Sequence, residues 1–175
     1  MSITPAEKST HQQQLAYVRS FPNGVRNCYS INVTSGNKYL ILATFFYGNY
    51  DGLNKPPQFD LHLGANLWDT VRFDNASLST IKEIIYTPSL DHIHPCLVNT
   101  GNGIPFISAI ELRTLNSSSY STALGESLAR ISRHDLGSTT NLAYRCVHCI
   151  ELSLFTICAN FIHYKFIKKC QWMHQ

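Results

Sequence analysis

The sequence predicts an all-β domain, a β-sandwich of the jelly-roll type, on three observations. Segments alternate apolar and polar residues with period two, Gly- and Asn-bearing turns separate them at short intervals, and helix signals are nearly absent. Of 175 residues, 44% are hydrophobic and 11% aromatic but only 14% charged, so one packed core is expected and disorder is excluded for the body.

Residues 1–16 form a polar lead-in. Val25 to Val33 and Lys38 to Tyr47 are the first predicted strands, and Thr34-Ser35-Gly36-Asn37 between them reads as a hairpin loop in which Gly36 supplies the positive φ. Gln58 to Leu63 alternates strictly, and Gly64-Ala65-Asn66 returns the chain into Leu67 to Phe73 as a second hairpin. Ile81 to Tyr86, His92 to Val98 and Ile104 to Leu115 complete the set, the last two joined across Asn99-Thr100-Gly101-Asn102-Gly103. The sandwich is thus expected over 17–115. Asn116-Ser117-Ser118-Ser119 marks its end, and 116–145 reads as a Ser-rich linker opening a second unit.

Residues 146–175 differ in composition: Cys146, Cys149, Cys158 and Cys170 fall here, with Lys165, Lys168 and Lys169 near the end. The apolar run Cys149 to Ile162 predicts a poorly packed tail, either coil or a short helix with Leu152, Phe155, Ala159 and Ile162 on one face, that contributes no site residue. It is too short to span a bilayer, which takes about 20 apolar residues. The N-terminus carries no apolar run of the kind that directs secretion. A net charge of +3 does not predict a nucleic-acid partner.

Tyr47-Gly48-Asn49-Tyr50-Asp51-Gly52 places two phenols, an amide and a carboxylate in one loop. Aromatic faces suit the C–H patches of a pyranose, and Asn49 and Asp51 suit its hydroxyls, so Tyr47, Asn49, Tyr50 and Asp51 are the candidate carbohydrate-binding residues. The bland reading is a turn whose tyrosines cap the sandwich.

His92, His94 and Cys96 alternate on a predicted strand, but they span about 13 Å when extended and Pro95 interrupts them, so no metal site is expected. Cys146-x-x-Cys149 lacks the second pair of a zinc site. Gly101-Asn102-Gly103 lacks the strand-to-helix context of a phosphate cradle. No catalytic constellation and no cofactor motif appears, so an enzyme is not expected. Asn32-Val33-Thr34, Asn75-Ala76-Ser77 and Asn116-Ser117-Ser118 have the N-glycosylation form; with 13 asparagines, roughly two such triplets arise by chance. Cys28 and Cys96, alone in the body, are compatible with one disulfide or with two buried thiols.

Three stretches carry a resemblance. Phe21-Pro22-Asn23-Gly24-Val25-Arg26-Asn27-Cys28-Tyr29, then Ala43-Thr44-Phe45-Phe46-Tyr47-Gly48-Asn49-Tyr50-Asp51-Gly52, then Cys96-Leu97-Val98-Asn99-Thr100-Gly101 with Pro105-Phe106-Ile107-Ser108-Ala109-Ile110-Glu111-Leu112-Arg113, resemble in order the malectin-like domain of plant leucine-rich-repeat receptor kinases. The resemblance runs from about Gln12 to Arg145. It implies an incomplete malectin-like sandwich and a noncatalytic glycan-recognising part of a receptor ectodomain, membrane-associated on the extracellular side through the full-length architecture. The alternatives are a protein- or peptide-interaction fragment without sugar affinity, engaging a peptide ligand or co-receptor, and a nonfunctional truncated product. Because Cys28 and Cys96 both lie in matched stretches, the resemblance also implies that they sit on neighbouring strands and pair in an oxidising compartment.

Overall fold

The computed structural model describes residues 1–3, 13–135, 149–152, 155–158 and 162–169, with side chains for 1–3 and 13–130. After a 3-10 turn at Gln13–Leu15 come β1 (Arg19–Ser20), β2 (Arg26–Cys28), β3 (Ile31–Asn32), β4 (Lys38–Phe45), β5 (Gln58–Leu63) and β6 (Asn66–Val71). Then follow β7 (Thr80–Tyr86), β8 (His92–Ile93), β9 (Pro95–Asn102), β10 (Phe106–Ile107), β11 (Ala109–Leu115) and β12 (Ser127–Asp135), and finally β13 (Cys149–Leu152), β14 (Phe155–Cys158) and β15 (Ile162–Lys169).

Two antiparallel sheets enclose the core. One has the order β11-β4-β7-β12-β15-β14-β13 and the other β2-β9-β5-β6, with the short pairs β1-β10 and β3-β8 beside them. Period-two patterning sets which faces meet: Phe59, Leu61 and Leu63 of β5 point inward while Gln58, Asp60 and His62 are half-exposed. Phe45 of the larger sheet meets Phe59 of the smaller at 5.7 Å between ring centroids, and Phe106 fills the space beside both at 6.4 and 6.0 Å. Each of these rings is wholly buried and contributes about 1.5–3 kcal/mol of transfer free energy.

The β5–β6 hairpin forms as expected, Leu63 facing Asn66 across Gly64-Ala65. The first expected hairpin does not. β4 pairs with β11 and β7, and β3 pairs with β8, so Thr34–Asn37 carries the chain between sheets although Asn37 N bonds Thr34 O at 3.2 Å. The reason lies in β4: all its residues but Leu40 are buried, and such a strand needs two long partners that the two-residue β3 cannot offer.

Asn99 to Asn102 is also not a simple turn. These residues extend β9, which opposes Gln58 with Asn102 and Phe59 with Asn99 across a bulge. The lead-in contributes to the core, because Ile3 and Leu15 are buried in it. The larger sheet continues past Leu115, where Ser127, Leu128 and Ala129 pair with Tyr86, Ile85 and Ile84.

The expected tail helix is absent from the described residues, which run there as β13, β14 and β15. β15 pairs with β12 from Ser127↔Lys169 to Asp135↔Ile162. Two physical reasons apply. The stretch is rich in Ile and Phe, which favour extended backbone, and β12 presents an edge whose amides need partners.

Candidate functional site

The loop singled out from sequence leaves β4 at the end of the core. Its backbone turns twice, Tyr50 N bonding Tyr47 O at 3.2 Å and Gly52 N bonding Asn49 O at 3.1 Å. Gly48 and Asn49 take φ of 47° and 48°, and at Gly48 a Cβ would lie 2.6 Å from Ile3 Cγ2, so only glycine fits.

Tyr47 is 1% exposed. Its hydroxyl donates to Asp51 Oδ1 and accepts from Lys55 N at 3.1 Å, with Asn49 Oδ1 3.3 Å away. Asp51 Oδ1 also accepts Leu53 N at 3.1 Å, and Asn49 Oδ1 accepts Asn54 N at 2.9 Å. Burial, followed by the bond to Asp51, pushes the Tyr47 phenol up to about 12. Tyr50 packs against Phe106 at 5.0 Å and Tyr47 at 5.6 Å, and its hydroxyl is buried without a hydrogen bond. Burial again comes first in raising its pKa, and the nearby Asp51 carboxylate adds to it.

The phenols therefore cap the core, and one oxygen each of Asn49 and Asp51 holds the loop. Asn49 Nδ2 and Asp51 Oδ2, like the buried Tyr50 hydroxyl, stand outside that network.

Cys28 and Cys96 are directly opposed on β2 and β9 and joined by a disulfide, their Cα atoms 4.0 Å apart. His92 and His94 pack edge to face at 4.8 Å, but the sulfur of Cys96 is bonded to Cys28. Among the described residues no group of three metal-ligating side chains occurs. Asn32, Asn75 and Asn116 are all exposed. Cys146 lies outside the described residues.

One concavity was not legible in the sequence. A groove of about 520 Å³ opens at the side of the sandwich between Tyr17, Val18 and Arg19, Tyr29 and Ile31, and Ile107 to Ile110 with Leu112. Its residues come from three separated segments, and no local pattern links them. β11 borders it and, among the described residues, pairs on one side only, with β4. The Arg19 guanidinium lies 5.3 Å from the ring centroids of both Phe21 and Tyr29, which themselves meet edge to face at 6.1 Å. A second concavity, of about 590 Å³, is polar and runs from Asp69, Thr70, Arg72 and Asp74 to Ser79, Thr80 and Lys82. No helix of the described residues is long and apolar enough to cross a membrane.

A family model described as the malectin-like domain matches residues 1–148. A putative leucine-rich repeat receptor-like protein kinase of Arabidopsis thaliana is 48% identical over 147 residues, 82% of this chain and 17% of that protein. The Arabidopsis thaliana LRR receptor-like serine/threonine-protein kinase IOS1 is 48% identical over 145 residues, again 82% of this chain and 16% of its own length. This chain thus spans about one-sixth of those relatives. Among solved structures, the ANX1 ectodomain of Arabidopsis thaliana aligns with a TM-score of 0.56 at 17% identity, covering 69% of this chain and 36% of that one. The plant receptor-like kinase FER aligns at 0.55 and 19% identity, covering 67% and 34%. These two likenesses are of fold.

Proposed function

This chain belongs to the malectin-like family, and from that premise we propose that it is a noncatalytic ligand-recognition module from the extracellular part of a leucine-rich-repeat receptor kinase, with an extended polypeptide as its ligand. The kinase catalysis and membrane attachment of such a receptor would reside outside this chain.

The side groove supports the polypeptide reading. Its walls are largely apolar, and it runs beside the edge of β11, a seven-residue strand, that has no strand partner among the described residues. An extended peptide would add main-chain hydrogen bonds to that edge and set alternate side chains against Tyr29, Ile31 and Ile110. Arg19, held over two rings, would offer its cation to a carboxylate on the peptide. A pyranose asks for a different surface, with several converging hydrogen-bond groups and an open aromatic face.

A second reading, carbohydrate recognition at the Asn49 to Asp51 rim, is favoured by Asn49 Nδ2 and Asp51 Oδ2 standing outside the loop's own network. Tyr47 would then act from beneath as a positioning residue. A panel of extended peptides with alternating apolar residues and one carboxylate, and an array of cell-wall oligosaccharides, separate the two on the refolded chain. Peptide binding that falls at least tenfold in Arg19→Ala and Ile110→Asp supports the groove. Glycan binding that is lost in Asn49→Ala and Asp51→Ala while the groove variants bind normally overturns it.

A further inference from the structure

Two of the three glycosylation-type triplets share an arrangement at the amide itself. Asn75 Oδ1 accepts Ser77 N at 2.8 Å, and Asn116 Oδ1 accepts Ser118 N and Ser118 Oγ, each at 3.1 Å. In both, the amide oxygen is turned onto the residue two positions on. Both side chains are exposed, and neither Nδ2 donates a hydrogen bond to the described residues.

The turn at Asn116 is held from below. Lys38, buried at the start of β4, donates its ammonium protons to the carbonyls of Ser117 at 3.0 Å, Ser119 at 2.6 Å and Tyr120. A group attached at Nδ2 of either asparagine displaces no packed side chain and breaks no hydrogen bond.

We propose that Asn75 and Asn116 are acceptor sites for N-linked glycans, and that the glycan on Asn75 roofs the polar cleft between Asp69 and Lys82. The donor is a polyprenyl-diphosphate-linked oligosaccharide. Nδ2 attacks its anomeric carbon, the C–N bond forms as the C–O bond to diphosphate breaks, the diphosphate leaves with the electron pair, and the amide nitrogen gives up one proton. No oxidant or reductant enters.

The surroundings favour a hydrated cover at the first site. Asp74, next in sequence to Asn75, lines the cleft, and within it Lys82 Nζ already pairs with Asp69 Oδ2 at 3.0 Å. At the second site, Asn116 directly follows the last residue of β11, so a bulky hydrophilic group there hinders edge-to-edge pairing with another copy. The proposal rests on the extracellular reading above, because the transfer takes place in the secretory lumen.

The test translates the full chain behind a cleavable secretion signal, in the presence of microsomes, with an acceptor triplet appended at the C-terminus to report lumenal delivery. Enzymatic glycan release followed by peptide mapping should show Asn75 and Asn116 converted to aspartate, and Asn75→Gln and Asn116→Gln should each remove one mass step. A modified reporter beside unmodified Asn75 and Asn116 overturns the proposal. For the roof, acylation of Lys82 should be several-fold slower in the glycosylated chain than in Asn75→Gln, and equal rates overturn that part. Peptide binding, measured on glycan-free protein, stands or falls separately.

Discussion

Tyr47 donates its phenolic proton to Asp51 Oδ1, four residues along the chain, and the same oxygen receives the amide of Leu53. Two residues that the sequence offers as sugar contacts are thereby the internal brace of their own loop. Tyr47→Phe removes the donor to Asp51 and the acceptor for Lys55 N, and should cost about 1–3 kcal/mol in urea unfolding. Tyr50→Phe removes a buried hydroxyl that makes no hydrogen bond and should change stability by under about 0.5 kcal/mol, or raise it. Equal losses in the two variants would refute this division of roles.

Stability should fall in alkali. Folding lifts Tyr47 from 10.0 to about 12 and lifts Tyr50 as well, so the folded chain keeps protons that the unfolded chain has released. The contribution is whole below pH 10, declines as pH rises through 10 to 12, and by then is largely gone for Tyr47. The urea midpoint followed against pH should show this decline, and Tyr50→Phe should flatten it.

The Cys28–Cys96 bridge closes a loop of sequence separation 68. Chain-entropy reasoning assigns such a loop about 4 kcal/mol. The double variant Cys28→Ala, Cys96→Ala should lose 2–5 kcal/mol, the usual range, in chemical denaturation, and a reductant should then have no further effect.

Lys38→Met should cost about 3 kcal/mol, because three carbonyls lose a charged donor within a buried site. The loss should be local. Amide exchange of Ser117 to Tyr120 should accelerate, while exchange in β5 and β9 changes only with global stability.

Removing residues 149–175 should uncover the long edge of β12 that β15 covers. The shortened chain is expected to self-associate in sedimentation velocity and to unfold at lower urea than the whole chain. A monomeric, equally stable product would show that β12 does not depend on β15.

Much of the body was readable along the chain because the information is local. Alternation in Gln58 to Leu63 assigns Phe59, Leu61 and Leu63 to the core, and Gly64-Ala65 returns the strand as a hairpin. The tail misled because its apolar residues satisfy helical and extended patterns alike, and the choice depends on whether a strand edge is nearby to accept them.

Sequence alone determined the all-β class, the β5–β6 hairpin and the order of matched stretches that identifies the family. Tertiary structure decided the rest. Pairing β4 with β11 rather than with the segment before it leaves β11 at an edge among the described residues and brings Tyr17, Tyr29 and Ile110 around one groove. Burial of Tyr47 beside Phe106 turned a loop composed like a sugar site inward. Side-chain chemistry and turn conformation are local properties, whereas strand order and which face of a loop meets the core depend on contacts between residues distant in the chain.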